Sequence, residues 1–377
     1  MELLYNFKLS EADILLKSNG HKLLKTSKNE GLKNKLIEGE NIRALHELVN
    51  DKNVCGKVDL IYIDPPFATK SIFTINGDRS ATVSKSNDGL IAYSDTLTGI
   101  EFIEFLRERL ILLKMLLSDK GSIYLHIDYK IGHYVKIMMD EVFGIENFRN
   151  DITRIKCNPK NFARKGYSNI KDMILFYSKS DKMIWNEPKS AYSEDDIVRL
   201  FPKKNKDGRR YTTVPIHAPG ETKNGESSKM FKGMPPPIGR HWRSSVKELD
   251  ELDAKGLIEW SSTGNPRMII FADERDGKRM QDIWEFKDPQ YPVYPTEKNA
   301  NMLDLIMRTS SNEDSLILDC FCGSGTTILS AIKNKRNWIG IDKSTEAIKA
   351  TLKKISTPQQ DLFNKYNEFE HYKVVKL

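Results

Sequence analysis

Two stretches of this 377-residue chain carry residue types able to do chemistry together. The first is Asp64-Pro65-Pro66-Phe67, directly after the apolar run Val58-Asp59-Leu60-Ile61-Tyr62-Ile63. Two prolines lock φ and remove two N–H donors, so the carbonyls beside Asp64 escape competing main-chain bonds. A carboxylate, a rigid carbonyl and an aromatic ring within one turn suit a planar ring bearing an exocyclic NH₂ group. The carboxylate and the carbonyl accept the amine hydrogens, and Phe67 stacks on the ring. Asp64, Pro65, Pro66 and Phe67 are therefore the candidate catalytic residues. Taken alone, Asp-Pro-Pro reads equally well as a turn, with Phe67 in a core.

The second stretch is Asp319-Cys320-Phe321-Cys322-Gly323-Ser324-Gly325-Thr326-Thr327. Gly323 and Gly325 let the backbone turn tightly and approach a ligand closely. Position 328 is Ile where the dinucleotide fingerprint needs Gly, and no GxxxxGK[ST] occurs, so a nucleotide triphosphatase loses its main support. About twenty residues on, Asp342 ends the run Ile339-Gly340-Ile341, where an acid can accept from both hydroxyls of a ribose. A glycine loop without a phosphate-binding lysine, plus a ribose acid, fits an adenosine ligand lacking a pyrophosphate. S-adenosylmethionine is such a ligand. In an open α/β sheet, ligands bind outside the carboxyl ends of strands. The pair of motifs thus predicts a methyl donor and an amino-bearing ring on one rim.

The elements needed to hold such a rim are legible. Apolar runs at Val58–Ile63, Ser122–Ile127, Met173–Tyr177, Ser315–Leu318 and Trp338–Ile341 read as strands. Helical spacing marks 41–49, 99–117, 134–142, 299–307, 326–333 and 345–354, with Gly121 breaking the second of these. Strands separated by helices predict an α/β fold, a doubly wound and mostly parallel sheet. Between 181 and 290 the alternation lapses and prolines gather, including Pro235-Pro236-Pro237, which predicts an inserted irregular domain. The expected division is an N-terminal extension (1–35), a catalytic half (36–180), an insertion for target recognition (181–290) and a cofactor-binding half (291–377). The 59 Lys and Arg exceed the 52 Asp and Glu by seven, and 39% hydrophobic content excludes a largely disordered chain. No apolar run is long enough to span a bilayer, and no signal peptide is evident, so the expected location is cytoplasmic. Four cysteines without a CxxC pair predict no metal.

These motifs resemble the amino-methyltransferases of DNA, in the β arrangement that places the catalytic motif before the cofactor motif. Gly39-Glu40-Asn41 resembles an early element near the cofactor, and Val58 to Phe67 the catalytic strand and loop. Ser122 to Asp128 and Met173 to Lys179 resemble the strands that follow, and Tyr294-Pro295-Thr296-Glu297-Lys298 the segment before the cofactor strand. Asp319 to Thr327 matches the FxGxG element and Asp342 its ribose acid. The resemblance implies a Rossmann-like methyltransferase fold and S-adenosylmethionine as cofactor. The cofactor site it implies comprises Glu40, Thr296, Lys298, Asp319, Phe321, Gly323, Ser324, Gly325, Thr326 and Asp342. The chain departs from the family where Phe67 replaces Tyr and Ala68-Thr69 replaces Asn-Thr. Asp at the first catalytic position favours adenine N6 over cytosine N4.

Asp207-Gly208-Arg209-Arg210-Tyr211 and Gly239-Arg240-His241-Trp242 are similar to segments of type III restriction-modification modification subunits. Double-stranded DNA is then the partner. Arg199, Lys203, Lys204, Arg209, Arg210, Arg240 and Arg243 are expected on phosphates and bases, with Trp242 as a base contact. A cognate restriction endonuclease is a second expected partner, and a homodimer through the 99–117 helix a third. The rival readings are cytosine-N4 methylation, a non-catalytic specificity subunit, and methylation of RNA or a protein amide.

Overall fold

Runs of Val, Ile and Leu without polar alternation have to be covered on both faces, and in a doubly wound sheet helices cover them. The computed structural model describes residues 2–16, 20–28, 31–66, 72–76, 79–81, 90–94, 99–159, 165–288, 298–356 and 365–376, those between 72 and 94 by backbone alone. The chain divides into two compact units, residues 1–188 with 281–377 and residues 189–280. Among the described residues of the large unit, ten strands form one sheet. Their spatial order is His21–Lys25, Glu370–Lys376, Lys35–Glu38, Asn337–Asp342, Leu316–Asp319, Val58–Ile63, Leu117–Ile127, Lys171–Ser178, Phe148–Ile155 and Ile283–Glu285. The junctions are parallel except at the first strand and on either side of Lys171–Ser178.

Winding starts in the middle. From Val58–Ile63 the chain crosses through the helix Ile100–Leu116 to Leu117–Ile127 on one side. From Leu316–Asp319 it crosses through Thr326–Lys333 to Asn337–Asp342 on the other. Right-handed crossovers running in opposite directions put their helices on opposite faces. Ile100–Leu116 packs with Asn41–Asn50 and Tyr129–Phe143, and Thr326–Lys333 with Ala300–Ser310 and Thr345–Ser356. Phe102, Leu106, Leu110 and Leu113 are all buried, each such side chain contributing roughly 1.5–3 kcal/mol of transfer free energy. That helix is spent on the core, which leaves little of it for a homodimer contact. No helix of the described residues is long and apolar enough to cross a membrane.

Three expectations need correction. The first 35 residues are not a separate extension: Ile14 is wholly buried, and His21–Lys25 and Lys35–Glu38 both belong to the sheet. Gly121 does not break the long helix, which ends at Leu116 and passes directly into the strand Leu117–Ile127. Within that strand, position 121 requires glycine because a Cβ there would stand 2.7 Å from the Val58 carbonyl oxygen. The insertion is narrower than 181–290. Asn186 donates to the Arg308 and Ser311 carbonyls, and Ile283–Glu285 pairs with Phe148–Ile155, tying both flanks to the large unit.

The smaller unit has its own antiparallel sheet, in the order Lys203–Lys204, Arg210–Pro215, Pro266–Phe271 and Ile258–Trp260. Its separate core gathers Ile216, Phe231, Trp242 and Leu249. The helices Glu194–Leu200 and Val246–Ala254 each open on a capping box, at Ser193 with Asp196 and at Ser245 with Glu248.

Candidate active site

Parallel pairing brings the two motifs together. Leu318 stands opposite Ile61 in adjacent strands, so Asp319 falls beside Tyr62, two residues before Asp64, and both carboxylates emerge at the carboxyl edge of the sheet, with strands usually about 5 Å apart. Asp342 ends the next strand over, where Asp319 pairs with Gly340. The Glu40 segment follows the strand beyond that, with Glu38 opposite Asp342. Gly39 donates its N–H to the Asp342 carbonyl at 2.9 Å. A Cβ on Gly39 would meet Val374 at 2.6 Å, so the turn that delivers Glu40 to this rim admits only glycine.

Asp64 is largely buried, and its Oδ2 pairs with Lys298 Nζ at 2.9 Å. Its Oδ1 is buried with no hydrogen-bond partner among the described residues. Pro65 is buried beside it. Lys298, expected on the cofactor side, is thus the counter-ion of the proposed catalytic carboxylate. Beneath lies a polar group that sequence reasoning did not assemble. His126 Nδ1 is 3.1 Å from the Tyr62 hydroxyl, and His126 Nε2 is 3.2 Å from Asp172 Oδ2. Lys156 reaches Asp172 Oδ1 at 2.6 Å. Burial pushes the Asp172 carboxyl up, but hydrogen bonds from His126 and Lys156, with their charges, hold it well below the usual carboxylate range. An ionised Asp172 only accepts, so Nε2 carries the imidazole proton and Nδ1 accepts from Tyr62.

The glycine loop is fixed from several sides. Phe321 N–H donates to Asp319 Oδ1 at 2.9 Å, and Gly323 N–H to Asp342 Oδ2 at 2.9 Å. Ser344 N–H takes the other Asp342 oxygen. Asn41 donates to the Cys320 carbonyl and accepts from the buried Arg109, whose guanidinium lies over the Phe105 ring. Burial lowers that guanidinium to about 10. Lys354 reaches the Ser324 and Thr326 hydroxyls at 3.1 and 3.0 Å. Cys320 and Cys322 are buried under the loop. Ile328 occupies the place of the third fingerprint glycine, and a glycine on the neighbouring strand makes its room: a Cβ on Gly340 would meet Ile328 at 2.3 Å. Burial, augmented by the charges of Asp64 and Asp342, pushes the Asp319 carboxyl up to about 7.

Glu40, Lys298, Asp319, Phe321, Gly323, Ser324, Gly325, Thr326 and Asp342 thus gather along one rim with Asp64, Pro65 and Pro66. Phe67 and Thr296 lie outside the described residues. The rim fits an adenosyl sulfonium cofactor. It holds carboxylates for a ribose and a cation, and a Cβ on Gly323 would meet only the Phe321 carbonyl, at 4.0 Å, which leaves that side of the loop open.

The residues expected on DNA divide. Trp242 does not reach bases: it is 1% exposed, edge-on to Phe231, and donates its indole N–H to the Lys229 carbonyl. It belongs to the core of the small unit, with Ile216, Phe231 and Leu249. Arg199 pairs with Asp196, Lys203 with Glu259, and Arg209 with Asp273 and Glu274. Arg210 donates to the Phe201 carbonyl. Arg240 meets His217 Nδ1 at 3.2 Å, and Arg243 the His217 carbonyl. Lys204, Arg240 and Arg243 are exposed. Exposed ion pairs contribute little, so they do not bar a polyanion. Arg154, part of a second basic run in the sequence, is wholly buried against Asp172 and Asp288 and faces no phosphate.

Comparison with known proteins meets the same residues. A family model described as DNA methylase, for the N6 and N4 types, matches residues 58–353. The type II methyltransferase M.EcaI of Enterobacter cloacae is 41% identical over 88% of this chain and 72% of its own. The Mod subunit of the type III enzyme StyLTI from Salmonella typhimurium is 26% identical over 80% of this chain, which spans half its length. A crystal structure of M1.HpyAVI with SAM aligns over 85% of this chain and 99% of its own, at 15% identity and a TM-score of 0.43. With the family match running from the strand that leads to Asp64 to beyond Asp342, this chain belongs to the N6/N4 DNA methylases, which draw their methyl group from S-adenosylmethionine.

Proposed function

We propose that the chain methylates adenine N6 in a specific DNA sequence, with the target base turned out of the duplex. The observation that carries this is the adjacency of Leu316–Asp319 and Val58–Ile63, whose loops share one rim. S-adenosylmethionine supplies an electrophilic methyl group when bound. An aromatic amine is a poor nucleophile because its lone pair is delocalised into the ring. The Asp64 carboxylate and the Pro65 carbonyl accept its two N–H bonds and draw the nitrogen towards sp³ character. Asp342, Glu40 and the Gly323–Gly325 turn orient the donor, so most of the acceleration comes from orientation and preorganised charge. The target atom is out of reach inside a duplex, so the base leaves the stack at a cost of a few kcal/mol, which stacking on Phe67 partly offsets. The unit Lys189–Met280 is the proposed reader of the site, with Lys204, Arg240 and Arg243 on DNA.

Asp at the first catalytic position supports adenine. A type II methyltransferase at 41% identity supports a restriction-modification setting, and the Mod subunit likeness supports a cognate restriction endonuclease as partner. Tritiated S-adenosylmethionine, DNA and nucleoside analysis test the base: label is expected in N6-methyldeoxyadenosine. Label in N4-methyldeoxycytidine would replace adenine by cytosine in this reading.

A pH effect follows from Asp319. Its carboxyl, at about 7, ionises across the neutral range. The donor carries a net positive charge, so an ionised Asp319 favours it. Affinity for S-adenosylmethionine is expected to rise several-fold between about pH 6 and about pH 8, measured by calorimetry, and to lose most of that dependence in Asp319→Asn.

A further inference from the structure

Behind Asp64 lies a buried string of titratable groups that the reaction as described does not use. His126, wholly buried on the strand Leu117–Ile127, has its Nδ1 3.8 Å from Asp64 Oδ1. That oxygen is buried and accepts no hydrogen bond among the described residues, while Oδ2 holds Lys298. A buried acceptor left without a donor is costly. The ring nitrogen beside it can satisfy it only by carrying a proton, and with Nε2–H already committed to Asp172 that means an imidazolium.

We propose that His126 is a positioning residue which takes up, through Asp64, the proton shed by the methylated amine. This rests on the reading of Asp64 as the group that grips the amine. Before transfer the ring is neutral: Nε2–H donates to Asp172 and Nδ1 accepts from Tyr62. Once methylated, the nitrogen carries one proton too many. Its N–H bond breaks, the electron pair stays on nitrogen, and the proton goes to Asp64. Once the Tyr62 hydroxyl turns its O–H away and the 3.8 Å gap closes to a hydrogen bond, the proton passes from Oδ1 to His126 Nδ1. Asp64 is ionised again, and the imidazolium sits between two carboxylates. Water reaching Asp64 after the product leaves carries the proton away.

The surroundings suit a group that is neutral at rest. Tyr62 and Asp64 face the ring from one strand and its loop, and Asp172 from another. Arg154 and Lys156 pair with Asp172, and Lys298 with Asp64. Burial first, then the charge of Lys298, holds the ring below the ordinary histidine range, against the pull of Asp172 and Asp64. The neutral form therefore prevails at pH 7 and is lost as the pH falls through that lowered value.

The test is single-turnover DNA methylation against pH for the wild type, His126→Gln and Asp172→Asn. Gln keeps an N–H for Asp172 and cannot titrate. It is expected to lower the rate at neutral pH by about 10²-fold, to move the acid limb to lower pH, and to leave S-adenosylmethionine affinity unchanged. Asp172→Asn keeps the histidine but removes the acceptor that favours its protonation, so its acid limb also moves down. An acid limb at one pH in all three proteins overturns the proposal. If the variants fail to fold, ¹⁵N-imidazole NMR of the wild type decides. A neutral Nε2–H ring at pH 7 is expected, and a charged ring or an Nδ1–H tautomer overturns the proposal. Label in cytosine rather than adenine, read in the same samples, would overturn the choice of base independently of these arms.

Discussion

An Asp64→Asn chain is expected to bind S-adenosylmethionine as the parent does and to transfer its methyl group about 10³-fold more slowly. Asn has the shape of Asp but one acceptor oxygen fewer and no charge. Lys298 is held by Oδ2, and its ammonium only donates. The amide must therefore turn its oxygen to Lys298 and its NH₂ inward, or the reverse, and either way one donor confronts another. The lost charge also removes the polarisation of the amine. Removing the carboxylate charge that pairs with Lys298, itself mostly buried, costs about 1–3 kcal/mol of stability, so melting is followed alongside rate and calorimetry. Transfer within tenfold of the parent would show that Asp64 is not the amine acceptor.

Gly325→Ala acts on the other loop and is expected to raise the dissociation constant for S-adenosylmethionine by about 10²-fold, or about 2.7 kcal/mol. Two terms combine. Gly325 has φ +77°, where an L side chain costs roughly 1–2 kcal/mol. A Cβ there would also stand 2.7 Å from Thr351 Cγ2 and 2.8 Å from Thr351 Oγ1. Thr351 is wholly buried and its hydroxyl donates to the Gly323 carbonyl, so it cannot step aside without releasing the loop it anchors. Gly325 is also the N-cap of Thr326–Lys333, so the strain reaches the start of that helix. Calorimetry reads the loss, and affinity within threefold of the parent would show that the turn does not hold the cofactor.

What the sequence made legible follows from periodicity. Buried parallel strands are short continuous apolar runs and amphipathic helices repeat every 3.6 residues, so the winding and the strand-end motifs could be placed. The helix at 326–333 and the strands around Val58 and Trp338 stand where their patterns put them. Side chains joined by register across distant strands left no local signal. Arg154 stands opposite Asp172 only because Phe148–Ile155 pairs antiparallel with Lys171–Ser178. Lys298 meets Asp64 from 234 positions away. The lysine- and leucine-rich start reads as an extension because its apolar residues follow no sustained strand or helix period, yet Leu3, Tyr5 and Leu9 pack on the main core. Trp242 misled for the opposite reason. An aromatic beside Arg240 and Arg243 looks like a nucleic-acid contact, and only its burial against Phe231 and Lys229, which has no local signal, shows it to be interior.

The stem of the smaller unit has a consequence for engineering. Lys189 pairs with Arg279 and Ser190 with Lys278 in a two-stranded antiparallel ladder. The polypeptide therefore enters and departs through hydrogen-bonded neighbours, whose Cα atoms are typically about 5 Å apart. Cutting the segment out at that ladder leaves ends that a few residues can rejoin, with little loop-closure entropy to overcome. Exchange of the segment for that of a relative, cut at Ser190 and Lys278, is therefore a compact swap, and the sequence preference of such hybrids tests the proposal that this unit reads the DNA site.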